Sequence, residues 1–363
     1  MTKYNTNNVR VIHNYCDFLK EAKRQSNASV DGATKAINRF EEYTKYKDFK
    51  QFHYKQAVSF KKYLIGQKNV VTDQPLSKAT LNTTLRHLKV FFQFLAMQSN
   101  YRSRINYSDA EYFNLSKKDA RIATAKRKRP VPTIEQVTQV LEAMPSITNI
   151  EMRDRALVAF TLLTGARDSA VASLKMKHIS IAEQSLYQDA REVNTKYSKT
   201  FTTYFFPVGE LPLQIFTEWF TYLTKELSFS PDDPLFPKTK VKNTPNHKFE
   251  AIGLLREHWS TAGAIRRIFK QGFKDADLPY YNPHSFRNTL VRLGEKLCHN
   301  AEEFKAWSQN LGHEGVLTTF YSYGDVVDHR QAELIKNLDQ PRADQGHDME
   351  AIIEATMKKM LAK

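Results

Sequence analysis

Asn310-Leu311-Gly312-His313-Glu314-Gly315-Val316-Leu317-Thr318-Thr319-Phe320-Tyr321-Ser322-Tyr323 sets a Gly-His pair ahead of a short apolar segment that ends in tyrosines. Two stretches upstream carry related chemistry. Thr164-Gly165-Ala166-Arg167 closes a strongly apolar run, and Asn282-Pro283-His284-Ser285-Phe286-Arg287 has the composition of a helix start. Asn is a favoured N-cap and Pro fits the first helical position. His284 and Arg287 then share one face of the first turn, where unpaired N–H groups and the helix dipole favour a phosphate. Singly, each motif has a bland reading: His-x-x-Arg as a surface pair, Arg167 as a helix C-terminal cation, Gly312-His313 as a helix cap. The ordered set of two arginines, two histidines and a tyrosine points instead to metal-free chemistry on a phosphodiester.

Composition bounds that reading. A chain of 363 residues is long for a single core, so two domains are expected. At 41% hydrophobic and 12% aromatic it can bury substantial cores, and twelve glycines speak for helices over a β-rich architecture. The fold class expected is mainly α with a small β-sheet. Cys16 and Cys298 form no metal or redox motif and read as buried free thiols in a reducing compartment. The N-terminus begins no apolar signal region, no run approaches membrane-spanning length, and the expected location is cytoplasmic.

The charge is unevenly divided. Residues 1–129 hold 26 Lys+Arg against 10 Asp+Glu, whereas 130–363 hold 28 against 29, so the net +15 of the chain comes from its first third. A basic module joined to a neutral one suggests a polyanion partner, and the aromatic content favours nucleic acid over a membrane surface. Helical spacing runs through 10–65, and Ser77 caps a helix with Leu81, Leu85, Leu88, Phe92 and Leu95 on one stripe. The opposite face offers Lys78, Thr80, Thr84, Arg86, His87 and Lys89, of which the first five are candidate DNA contacts. Residues 117–130 are poor in core formers and read as a linker whose basic run, Lys126, Arg127, Lys128 and Arg129, can lie along phosphates. Beyond it, Thr133 starts a helix, further helices are expected at 151–165, 168–177, 211–227, 258–275 and 284–297, and a β-excursion at 185–208. The expected division is 1–116 helical DNA-binding, 117–130 linker, 131–340 catalytic, and 341–363 a tail with an amphipathic helix.

On the motifs Thr164–Arg167, His284–Arg287, Leu311–His313 and Thr318–Tyr323, the chain resembles the tyrosine recombinase (phage integrase) family over nearly its whole length. The resemblance implies a helical core-binding domain and a mixed α/β catalytic domain that close as a C-shaped clamp around double-stranded DNA. It also implies a tyrosine attacking the phosphodiester to leave a 3′-phosphotyrosine, with no metal, no ATP and no cofactor. Arg167 and Arg287 would hold the non-bridging oxygens, and His284 and His313 would assist by hydrogen bonding and proton transfer. A lysine in a β-hairpin turn would protonate the leaving 5′-oxygen; by position this is Lys196, with Lys199 as the alternative. The nucleophile usually lies nine residues after the Gly-His histidine, yet position 322 is Ser between Tyr321 and Tyr323. Two residues apart on a helix, these rings point in nearly opposite directions, and the Thr-Thr-Phe-x-Ser-Tyr-Gly pattern favours Tyr323 over Tyr321. Family members often carry an acid three residues after the first arginine, where Ala170 stands; Asp168 is the candidate substitute.

In the family a C-terminal helix often docks on a neighbouring protomer, and the apolar stripe of Met349, Ile352, Ile353, Met357, Met360 and Leu361 fits that habit, with packing back onto its own chain as the alternative. The implied assembly is a homotetramer on two duplexes at specific recombination sites, with accessory DNA-bending proteins as further partners. A bacterial or phage-like mobile element is the implied setting. Two other functions compete: a type IB topoisomerase-like nicking-closing enzyme, and a catalytically impaired sequence-specific DNA-binding protein on the same scaffold.

Overall fold

Short polar side chains set most of the helix starts. Asn5 accepts hydrogen bonds from the N–H groups of Asn7 and Asn8 and opens α1 (Thr6–Asp17). Ser26 caps α2 (Asn27–Thr44), α3 spans Tyr54–Ile65, and Ser77 accepts from the Thr80 N–H to start α4 (Lys78–Met97). The computed structural model describes residues 4–70, 72–125, 130–243 and 249–313, and the chain forms two compact units, 1–127 and 128–363.

In the first unit the stripe expected on α4 is the core: Leu88, Phe92 and Leu95 are fully buried. Phe40, Phe49, Phe52, Phe60, Phe91 and Phe113 pack around it, mostly edge to face, as aromatic quadrupoles prefer. Buried Asn8 has its amide satisfied by Glu41 and the Lys47 carbonyl and accepts from the Phe49 N–H, so α1, α2 and the following loop are tied at one point. Thr84, expected on the solvent face of α4, does not lie there. It is only 7% exposed, because it follows Leu81 by three residues and precedes Leu88 by four, on the apolar stripe. The expected linker also begins with structure. Ser116 caps α5 (Lys117–Thr124), and Asp119 of that helix pairs with Lys78 at 2.8 Å.

The second unit is built around α7 (Asn149–Thr164), buried on every side from Ala156 to Thr164. Before it lies α6 (Ile134–Ala143), and both helices start with a capping box, Thr133–Gln136 and Thr148–Glu151. The helix expected at 168–177 stops early, as α8 (Asp168–Val171). The main chain beyond it is drawn out of helix by another segment: Met176 donates to the Asp233 carbonyl, Lys177 to that of Pro231, and the Leu235 N–H to that of Leu174. Strands β1 (Ile179–Ser180), β2 (Ser185–Gln188) and β3 (Phe201–Tyr204) form an antiparallel sheet, with Leu186 opposite Thr203. Helix α9 (Glu210–Lys225) packs on α7 through Phe160 and Phe216, whose rings lie 4.8 Å apart. A hairpin of β4 (Lys238–Asn243) and β5 (Phe249–Leu255) follows, then α10 (Gly263–Asp275), α11 (Pro283–Leu297) and α12 (Ala301–Asn310). The chain is thus mainly helical with small antiparallel sheets, as expected. None of the described helices is long and apolar enough to cross a membrane.

Candidate active site

Arg287 is the hub. Asn282 caps α11 by accepting from the Ser285 N–H, Pro283 takes the first turn, and Arg287 consequently points inward, 4% exposed. Its guanidinium donates through Nη1 to the Gly165 carbonyl at 2.6 Å and through Nη2 to the Leu311 carbonyl. One side chain thereby fastens the end of α7, the start of α11 and the end of α12 together. These are the three segments that carry Arg167, His284 and His313.

Both glycines at this junction are required by geometry. Gly165 ends α7 at φ 58°, and a Cβ there would stand 2.9 Å from Leu290 Cδ1 and 3.1 Å from Leu311 Cδ2. Gly312 has φ 67°, and a Cβ would stand 2.5 Å from the Phe201 ring of β3. Any other residue would be strained in the left-handed region and would push the segments apart. Asn310 completes the join, accepting from the Tyr204 N–H at 2.7 Å and donating to the Tyr204 carbonyl at 2.8 Å.

Arg167 follows Gly165 and Ala166 as the extended N-cap of α8 and is half-buried. With Asp168, Arg266, Asn282, Pro283 and His284 it lines a pocket of about 320 Å³. Asp168 is the one carboxylate among the described residues that line it, and Arg266 holds it through Nε at 2.9 Å and Nη2 at 2.8 Å. Asp168 therefore pairs with Arg266, not with Arg167. Ala170, at the position where the family often has an acid, is buried.

The electrostatics are those of a waiting anion site. Burial, then the charge of Arg167, lowers Arg287 to about 9, so it stays cationic at neutral pH. Burial, then Arg287, Arg167, Lys199 and His284, pulls His313 down to about 4. His284 is open to the pocket, yet crowding by protein atoms and the charges of Arg287 and Arg167 lower it as well. In both imidazoles the cationic form is thus disfavoured by burial and by the neighbouring positive charges. The turn between β2 and β3 borders the same site. The charge of Lys196 is felt at His284 and that of Lys199 at His313. The turn contains a short 3₁₀ segment, Lys196–Ser198, with Tyr197 at φ 62° and the Lys196 ammonium over its ring at 4.6 Å.

Arg167, His284, Arg287, His313 and both candidate lysines are accordingly gathered in one place. Tyr321, Tyr323, the basic run Lys126–Arg129 and the tail 341–363 lie outside the described residues. In the first unit Arg86 and Thr80 are exposed on α4, whereas His87 is half-buried and its pKa lowered by burial and by Arg86. Arg266 carries no mark in the sequence that singles it out. It lies 98 positions from its partner Asp168, in a helix whose basic residues resemble any solvated face. Among the described residues, no group of three or more His, Cys, Asp or Glu is arranged to hold a metal.

The model of the phage integrase family matches residues 131–330, more than half of the chain, and the chain belongs to that family, the tyrosine recombinases. Among curated relatives, the tyrosine recombinase XerC of Halalkalibacterium halodurans is 21% identical over 306 residues, covering 83% of this chain and 88% of that one. The XerC of Lactobacillus delbrueckii subsp. bulgaricus is 24% identical over 259 residues, 69% of this chain and 73% of its own. Among solved structures, a lambda integrase dimer bound to a COC′ core site matches with a TM-score of 0.57 at 14% identity, covering 94% and 99% of the two chains. XerH recombinase bound to a palindromic difH substrate, a post-cleavage complex, also gives 0.57, at 17% identity with 90% and 83% covered. At these identities the structural likeness speaks for the fold.

Proposed function

We propose that this chain is a site-specific recombinase of a mobile element that cuts and rejoins double-stranded DNA through a 3′-phosphotyrosine. The observation that carries the reading is Arg287 bridging the Gly165 and Leu311 carbonyls, which sets two guanidinium and two imidazole groups around one site. The fold neighbours, a lambda integrase bound to a COC′ core site and XerH recombinase bound to a difH substrate, support it.

In this mechanism the phenolate of Tyr323 attacks phosphorus in line and forms the O–P ester to the 3′ phosphate. The bond to the 5′-oxygen breaks, and that oxygen takes a proton from Lys196, with Lys199 as the alternative donor. Arg167 and Arg287 hold the non-bridging oxygens as charge grows in the transition state, a task for the guanidinium fork that lysine performs poorly. His313 and His284 donate hydrogen bonds to the same oxygens and relay the tyrosine proton. Rejoining reverses the transfer with a new 5′-hydroxyl. The bond energy is conserved in the ester, so rejoining needs no ATP, and the guanidinium and imidazole groups supply the charge stabilisation that a metal would otherwise provide. The basic first unit contributes phosphate contacts through Lys78, Thr80, Arg86 and His87 and through the run Lys126–Arg129. The working assembly is a homotetramer on two duplexes, with accessory DNA-bending proteins at the sites.

The decisive test is Tyr323→Phe on a nicked suicide duplex. The covalent adduct should vanish while duplex binding stays near wild type. An adduct that persists in this variant moves the nucleophile to Tyr321 or elsewhere.

A further inference from the structure

The Arg167 side chain makes no hydrogen bond or ion pair among the described residues, so its guanidinium is placed by the main chain on either side of it. The preceding side is well held: Arg287 takes the Gly165 carbonyl, and the Ala166 N–H donates to Thr164 Oγ1 at 3.2 Å. The following side rests on α8, a helix of four residues. One turn has too few internal bonds to hold itself. Its inner face is held by buried Ala170 and Val171 and by Ser169 Oγ donating to the Asn194 carbonyl. Its pocket edge is held by Asp168, whose Oδ1 accepts from the Ser169 N–H at 3.0 Å while Oδ2 takes both nitrogens of Arg266 at 2.9 and 2.8 Å. Arg266 stands on α10, whose Ile265, Phe269 and Phe273 are fully buried in the core of the unit. The ion pair therefore ties the pocket edge of the Arg167 turn to a rigid element, in the wall of the pocket that Arg167 lines.

We infer that Arg266 is a positioning residue for Arg167, acting through Asp168. The pair occupies the role that a carboxylate at position 170 could not fill here, since Ala170 is buried and uncharged. The inference rests on the catalytic reading of the pocket. Displacement of a reacting group by a fraction of an ångström lowers rate without lowering affinity, which separates positioning from direct DNA contact.

The test is a double-mutant cycle in single-turnover cleavage, at saturating protein, of a nicked suicide duplex taken from the DNA flanking the coding sequence. Arg266→Gln and Asp168→Asn should each slow cleavage about tenfold, and the double variant should be no slower than either, because both remove one linkage. Duplex affinity and its salt slope should stay at the wild-type values, and Arg266→Lys should recover part of the rate. Losses that multiply in the double variant, a loss confined to Arg266→Gln, or no loss in either would overturn the inference. So would weaker binding with a flatter salt slope in Arg266→Gln, which would make Arg266 a phosphate contact. Both side chains are partly exposed, so thermal melting of the variants should stay near wild type. Absence of any adduct from the unmodified protein would remove the catalytic reading and this inference together.

Discussion

The basic side chains at the centre repel one another until DNA arrives, and individual residues answer this differently. Arg287 is compensated by two carbonyls, Arg167 by partial exposure, and His313 by remaining neutral. On the proposed mechanism Arg167 is one transition-state donor, and Arg167→Ala should slow cleavage ~10²-fold or more with folding unchanged; cleavage near the wild-type rate would remove it from the chemistry. Arg287→Ala should be costlier, because the Gly165 and Leu311 carbonyls would lose a buried donor, a penalty of about 1–3 kcal/mol for each such group. Lower thermal stability together with lost cleavage is the expected signature. The pH dependence follows from His313. Its folded value near 4 lies below the ordinary 6.5, so between those values the unfolded chain binds a proton that the folded chain refuses. Stability is therefore fully present above pH 6.5 and is lost as pH falls towards 4. The difference between wild type and His313→Gln in melting temperature should show this slope; parallel curves would contradict the electrostatic picture. At this scale the sequence was most legible, because motif order named the side chains that converge. Arg266 was invisible for the opposite reason: its role is defined by a partner 98 positions away.

Elements matter here chiefly as spacers that bring short motifs to a common junction. The start of α11 was readable from Asn282-Pro283, and α7 from its uninterrupted apolar surface. Several elements escaped, among them α5, β4, β5 and α12, and α8 reads too long. The strand β4, Lys238–Asn243, shows no apolar alternation and is held by pairing to β5, a non-local bond that a local pattern does not encode. Helix α8 is shorter than its sequence suggests, because the segment 231–235 competes for the backbone groups of 174–177. Between α12 and β3 the fit is close enough to test. Gly312→Ala would force a methyl into the Phe201 ring at a positive φ, at a cost of about 1–3 kcal/mol. Chemical denaturation should report that loss, and a variant as stable as wild type would mean the junction can open without penalty.

Taken whole, the molecule joins a basic unit to a nearly neutral one, a division visible from residue counts alone. The boundary itself was less legible: residues 117–124 look like linker by composition, yet Ser116 caps a helix there and Asp119 pairs with Lys78. Charge reversal of Lys126, Arg127, Lys128 and Arg129 should weaken binding to all duplex sequences alike. It should also flatten the dependence of log K on log salt, by close to one unit for each phosphate no longer neutralised. An unchanged slope would show that the run does not meet phosphate. The measurement that bears most directly on the central claim is the identity of the residue joined to DNA. The protein is incubated with a nicked suicide duplex, digested, and the nucleotide-bearing peptide sequenced by mass spectrometry. The account predicts a 3′-phosphate esterified to Tyr323, formed far more slowly in Arg167→Ala and Arg287→Ala; a duplex cut without any covalent tyrosine would contradict it.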